Sequence, residues 1–135
     1  ILTNGEITMQ TNLSLTELYQ FSGSEQFFKH GVNRKLIYTE GIQYLAEKAK
    51  CYWLIDDIAL VLLPQLLKSH RDQFYALEFL VKSDHSATLT IGDGNGKIYL
   101  NHKVKWTDFP IIGESVKFYL CESEEYYCLM LPREY

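Results

Sequence analysis

Two adjacent carboxylates, Asp56 and Asp57, interrupt the most apolar stretch of the sequence, 52–63. A carboxylate is costly to bury unless a cation or hydrogen-bond donors face it. One reading makes Asp56 an acid, base or ligand group in a pocket between helices and sheet, with His30, Tyr38 and Trp53 as neighbours. The simpler reading is structural. The pair caps a helix start, or one Asp meets Arg34, Lys35 or Arg71 while the other faces solvent. No second carboxylate motif supports general acid–base work, so no catalytic residue is assigned.

The three thiols, Cys51, Cys121 and Cys128, have no metal-type spacing. A nucleophilic thiol needs a base and an orienting group, and His30, His70, His85 and His102 show no spacing that supplies them. Asp93-Gly94-Asn95-Gly96 has the composition of part of a calcium loop. Position twelve counted from Asp93 is Val104, where that loop needs a bidentate Glu. It reads as a hairpin turn instead. No metal or cofactor is expected.

The remaining pattern is a surface. By strand alternation Lys97, Tyr99, Lys103, Lys105, Lys117, Tyr119 and Tyr126 share one sheet face. Lysines among aromatics on an open sheet suit single-stranded nucleic acid, by charge neutralisation and base stacking. The same residue types also favour exposed strands for local reasons. The Gly-aromatic signature of the common RNA-binding sheet is missing.

These residues need elements to hold them. Ser14-Leu15-Thr16-Glu17 is a capping box with Leu13 and Leu18 placed as a staple, so a helix is expected over 15–22, ended by Gly23. Residues 24–34 read as a loose segment and 35–38 as a short strand or extended entry. A second helix starts at Thr39, because Ile42, Leu45, Ala46, Ala49 and Tyr52 make one stripe. The stretch 52–68 is apolar nearly all round and reads as a central helix, kinked or restarted at Pro64.

After His70 the apolar period becomes two. Strands are expected around Leu77–Val81, Ala87–Ile91, Ile98–Trp106, Val116–Leu120 and Tyr127–Leu131. The inward stripe of the third is Ile98, Leu100, Val104 and Trp106. Centring the last hairpin on Glu124-Glu125 sets Leu120 opposite Leu129, and Cys121 opposite Cys128 on the solvent face. The expected fold is α+β and two-layered, N-terminal helices on one face of a five-stranded antiparallel meander. Residues 13–135 form the single domain, and 1–12 an extension expected to be flexible.

The chain has 135 residues, a net charge of −4, 47% hydrophobic residues and 19 aromatics from ten Tyr, seven Phe and two Trp. So apolar a chain folds rather than staying disordered. Its acidity argues against a general polyanion binder. No apolar run approaches the roughly 20 residues of a bilayer span. Three unevenly spaced cysteines do not make a secreted disulfide scaffold, so a reducing cytoplasm is expected.

The phrases FSGSEQFFKH at 21–30, YTEGIQYLA at 38–46, YWLIDDIA at 52–59, DGNG at 93–96, TDFP at 107–110 and LMLPREY at 129–135 resemble an uncharacterised family of small bacterial proteins. That family is met in cyanobacteria and is often carried on plasmids or other mobile elements. The resemblance spans residue 13 to Tyr135. It implies a bacterial, cytoplasmic setting and supplies no catalytic residue. Three functions follow as expectations. The first is a non-enzymatic domain that contacts another protein or itself. The second is a single-stranded nucleic-acid binder. The third is a small-ligand pocket near Asp56. Tyr135 in the last phrase suggests that the tail docks back on the domain.

Overall fold

The computed structural model describes residues 13–23 and 26–135. The expected extension 1–12 lies outside them. Helix α1 (Leu15–Leu18) is followed by β1 (Phe27–Lys29), β2 (Leu36–Thr39) and α2 (Glu40–Ala49). Helix α3 (Tyr52–Asp57) runs through a π-helical turn (Ile58–Leu62) into α4 (Leu63–Ser69). Five strands complete the order: β3 (Phe74–Val81), β4 (Ala87–Gly92), β5 (Ile98–Val104), β6 (Val116–Ser123) and β7 (Tyr126–Met130). A 3-10 turn (Pro132–Glu134) closes the chain.

The sheet has seven strands, in the order β1-β2-β7-β6-β3-β4-β5. Among the described strand pairs only β2 and β7 run parallel. The expected five-stranded meander is therefore wrong in three respects. The segment 24–34, read as loose, contributes β1, and β2 sits beside β7 rather than forming an entry. The link 105–115 does not join neighbours either. It leaves β5 at the sheet edge, passes the ends of β4 and β3, and delivers β6 to the far side of β3. Hydrophobicity inside that link explains the path. Phe109 and Ile111 are buried, and the Phe109 ring meets Phe79 edge-on at 5.1 Å. The backbone N–H of Gly113 donates to Val81 O at 2.8 Å, tying the crossing to the end of β3.

The last hairpin has the expected register, with Leu120 opposite Leu129 and Cys121 opposite Cys128. Inward residues of the strands and the apolar stripes of the helices form one core, from Leu36 and Leu129 through Phe118, Leu77 and Phe79 to Leu89. Ile42, Leu45, Ala46 and Ala49 of α2 are all in it, as the stripe predicts. Tyr52 begins the next helix instead and is exposed. Helix α1 is one turn long, not two. Ser14 Oγ caps it by accepting from the Glu17 N–H at 3.4 Å.

Pro64 does not break its helix. It lacks the N–H that would bond a carbonyl of the preceding turn, so the chain widens into the π turn, where Leu63 N–H reaches Ile58 O. The carbonyl of Ala59, whose partner five residues on is Pro64, is satisfied from outside by Asn33 Nδ2 at 2.7 Å. Two segments that the sequence separates by 26 residues are thereby fastened together.

The tail does dock. Tyr135 packs edge-on against Phe74 at 5.7 Å and Tyr119 at 5.4 Å. Beside it Glu134, 8% exposed, lies over the start of α2. Its Oε1 accepts from the Thr39 hydroxyl at 2.6 Å and from Leu131 N–H at 2.9 Å, and its Oε2 accepts from Gly41 N–H at 3.1 Å. A carboxylate at a helix N-terminus meets unpaired N–H groups and the positive end of the helix dipole. Gly41 makes the approach geometrically feasible. A Cβ there would stand 2.5 Å from Glu134 Oε1.

Candidate functional site

The outer sheet face, away from the helices, carries the largest hollow among those described, with a volume of about 520 Å³. Its floor is low because Ala76 on β3 and Gly92 and Thr90 on β4 are small neighbours in register. Phe74 and Tyr119 stand at one end, their rings edge-on at 4.9 Å. The β4–β5 hairpin makes the wall, with Gly94 and Gly96 at φ 84° and 99°, as the turn reading requires. Asp93 holds that wall by accepting from Asn95 and Lys97 N–H groups at 2.7 and 3.1 Å, which holds its pKa below the usual carboxylate range.

Charges at the groove are balanced. Lys117 Nζ lies 3.8 Å from Glu78 Oε1, and Lys97 adjoins Asp93 on the hairpin. The polar rim holds Asn95, and from the floor the Thr90 hydroxyl donates to Asn101 Oδ1 at 3.1 Å just beyond. The groove thus offers two aromatic rings, a shallow apolar floor and neutral donors and acceptors.

The seven residues expected to share this face are divided. Lys97, Lys117 and Tyr119 line the groove. Lys103 is on the same face, opposite Thr88, and Lys105 is exposed just past the strand end. Tyr126 lies at the other end of the sheet with Lys29 Nζ 5.0 Å from its ring centroid. Tyr99 is a correction. A bulge pairs Gly92 with Ile98 and Ile91 with Leu100, so the alternation slips by one at the start of β5. Tyr99 turns toward the helices, stacks on His70 at 4.6 Å and meets Tyr75 edge-on. Ile98, expected inside, is exposed, and so is Trp106, where the strand has already ended.

The pocket set is split as well. His30 is 7% exposed, and both of its ring nitrogens are engaged. Nδ1 accepts from the N–H groups of Val32 and Asn33 at 3.1 and 3.0 Å, which leaves Nε2–H to donate to Asp56 Oδ1 at 2.7 Å. A ring so committed has no free lone pair for base catalysis. Asp56 itself is 57% exposed, so its other side is in water. Tyr38 is near enough that burial, and then the Asp56 charge, push its phenol upward. Trp53 points elsewhere, toward β5 with Asp57, one helical turn on. Asp57 Oδ2 accepts from His102 Nε2 at 3.1 Å. The expected partners Arg34, Lys35 and Arg71 are not used. Both aspartates pair with histidines, and Arg71 binds Glu122 at 3.0 Å. Nothing in the spacing of the histidines announced this, since His30 and His102 arrive from opposite edges of the sheet.

Cys121 and Cys128 are opposite each other on the outer face as expected, but Cys128 is buried rather than solvent-facing. Burial pushes their thiols up to about 11 and about 12, and Cys51 to about 12, so all three stay protonated at neutral pH. Among the described residues no group of three or more His, Cys, Asp or Glu side chains is placed to hold a metal ion. No helix among them is long and apolar enough to cross a membrane.

The class defined by these features is an α+β domain with a mostly antiparallel seven-stranded sheet and an open groove on one face. The chain belongs to a family of unknown function, DUF6876, whose model matches residues 12–135. No curated protein and no solved structure matches it.

Proposed function

We propose that this protein is a non-enzymatic binding module whose outer groove receives an uncharged, partly apolar segment of a partner protein. The observation that carries the reading is the groove itself. Its volume of about 520 Å³ combines the Phe74 and Tyr119 rings with a floor of Ala76 and Gly92, and its charges cancel in the pairs Lys117–Glu78 and Lys97–Asp93. A balanced groove favours neutral amide groups and apolar side chains over phosphates. Single-stranded nucleic acid is the less favoured ligand, because Tyr99 faces the helices and Tyr119 already meets Phe74 and Tyr135. The proposal sets the protein in a reducing bacterial cytoplasm, encoded on a mobile element. Its support is the set of family-like phrases and three thiols without a disulfide.

The test is selection of displayed peptides on the whole chain, followed by titration against wild type, Ala76→Trp and Thr90→Trp. Neutral peptides with an apolar anchor should bind wild type, change little with salt, and lose at least about tenfold affinity to each groove-filling variant. Thermal unfolding checks that both variants fold. Peptides that bind all three proteins equally would overturn the reading. So would single-stranded oligonucleotide binding that falls steeply with salt, or a stable dimer that covers the groove.

A further inference from the structure

Both tryptophans of the chain, Trp53 and Trp106, line one open hollow of about 230 Å³ with Val104, Thr107 and Asp108. This hollow is separate from the groove. Its makers come from three places: α3 supplies Trp53, the end of β5 supplies Val104, and the crossing link supplies the rest. Trp53 is anchored in the core, its ring edge-on to Phe79 at 6.1 Å. Trp106 is 63% exposed, an unusual state for so large an apolar side chain.

Exposure does not leave Trp106 loose. The His85 ring lies against it at 5.6 Å. The backbone on its far side is fastened twice to the same residue, Thr107 N–H donating to His85 O at 2.8 Å and His85 Nδ1 bonding Thr107 O at 3.1 Å. His85 adopts φ 68°, so the turn accepts a left-handed residue to present its ring there. An exposed indole is thus held in place beside a second indole.

Asp108 supplies the charge. It is exposed, and among the described residues its carboxylate has no hydrogen bond or ion pair. The only interaction it shows is the push of its charge on the buried Cys51 thiol. Two indoles and an unpaired carboxylate lining one small space make an environment for a cation that carries apolar groups. Indole attracts cations through its quadrupole, and an alkylated ammonium gives up little hydration to reach it. A phosphate or carboxylate ligand would meet Asp108 with the wrong sign.

We propose that the Trp53–Trp106–Asp108 hollow is a binding site for an alkylated ammonium group, carried either by a free quaternary amine or by a methylated lysine side chain.

The test uses the whole chain and its own tryptophan fluorescence, since both indoles line the site. The probes are tetramethylammonium, choline, the neutral isostere 3,3-dimethylbutan-1-ol, and peptides bearing lysine or trimethyllysine. A saturable change with choline or with the trimethyllysine peptide, at a Kd of about 1 mM or tighter, is expected. The isostere should leave the signal unchanged. Asp108→Asn should weaken binding about tenfold, and Trp106→Phe should weaken it less than Trp106→Ala. Both substituted positions are at the surface, and circular dichroism checks the fold of each variant. Binding of choline alone identifies a small-molecule source, and binding of the trimethyllysine peptide alone a protein source. Equal response to the isostere, equal affinity for unmodified lysine, or no saturable response to any cation would overturn the assignment.

Discussion

On the β2–β7 side of the sheet residues 131–135 close the outer face, ending with Tyr135 on Phe74 at the start of β3, and beyond that ring the same face of β3–β5 is open. The closed side buries a carboxylate, Glu134, with three hydrogen bonds, and its charge acts on the buried Cys128 thiol. The open side exposes the cross-strand ion pair Lys117–Glu78, both side chains more than half in water. One sheet face therefore carries two economies of polar groups. Where the tail lies, each polar atom has a specific partner and removal leaves others unpaired. Where it does not, water substitutes for any partner lost. The contrast separates residues that hold the fold from residues free to meet a ligand.

The largest effect should come from Glu134→Ala. It leaves the Thr39 hydroxyl and the Gly41 and Leu131 N–H groups without their acceptor at a buried helix start. Loss of about 3 kcal/mol is expected in urea unfolding. The same variant should expose Cys128. Burial holds that thiol at about 12, so alkylation by iodoacetamide at pH 8 should be slow in wild type and at least about tenfold faster once the tail is loosened. Unchanged labelling would mean that the strands, not the tail, protect the thiol, and the two halves of the face would no longer differ in the proposed way.

Next is Gly41→Ala. In an exposed helix interior this change stabilises by up to about 1 kcal/mol. Here the sign reverses, because the new Cβ stands 2.5 Å from Glu134 Oε1 and must push the carboxylate away. A loss of about 2 kcal/mol is expected. The sharper measurement is the double-mutant cycle. With Glu134→Ala already present, Gly41→Ala should cost nothing or stabilise. Additive losses would show that the glycine serves the helix for some other reason than admitting the carboxylate.

The sequence carried unequal information about the two halves. The period-two pattern gave the five later strands, and apolar pairing gave the register of Leu120 with Leu129, because one buried face forces the alternation. The order of strands was not readable, since it depends on the link 105–115, whose buried Phe109 and Ile111 turn a presumed turn into a crossing. Strand β1 was missed because three residues at a sheet edge carry too short a period to detect. Within the candidate sites, Lys117 and Tyr119 were readable by alternation. Tyr99 was not, because a single bulge at Gly92 reverses the faces. Glu134 was missed altogether. Its signal, a Gly at the second helical position after Thr39 in a chain whose tail carries one Glu, has meaning only once the tail is known to return.

The smallest stability effect marks the most exposed part of the comparison. Lys117→Met removes one partner of an ion pair in which both side chains are more than half exposed, at 3.8 Å. Such a pair is worth at most about 0.5 kcal/mol, so the unfolding midpoint should barely move. The methionine keeps the apolar stem against the strand, so the packing loss is small too. Glu78 is left without its cation, however, and the groove gains net negative charge. A peptide selected on the wild-type groove should then bind better if it carries an added lysine, and worse if it carries an added glutamate. A stability loss above about 1 kcal/mol would show that Lys117 belongs to the framework after all. Unchanged peptide preference would show that ligands do not reach this part of the face. Either result would move the boundary between the closed and open halves, and the first would shift it from the edge of the tail toward β4.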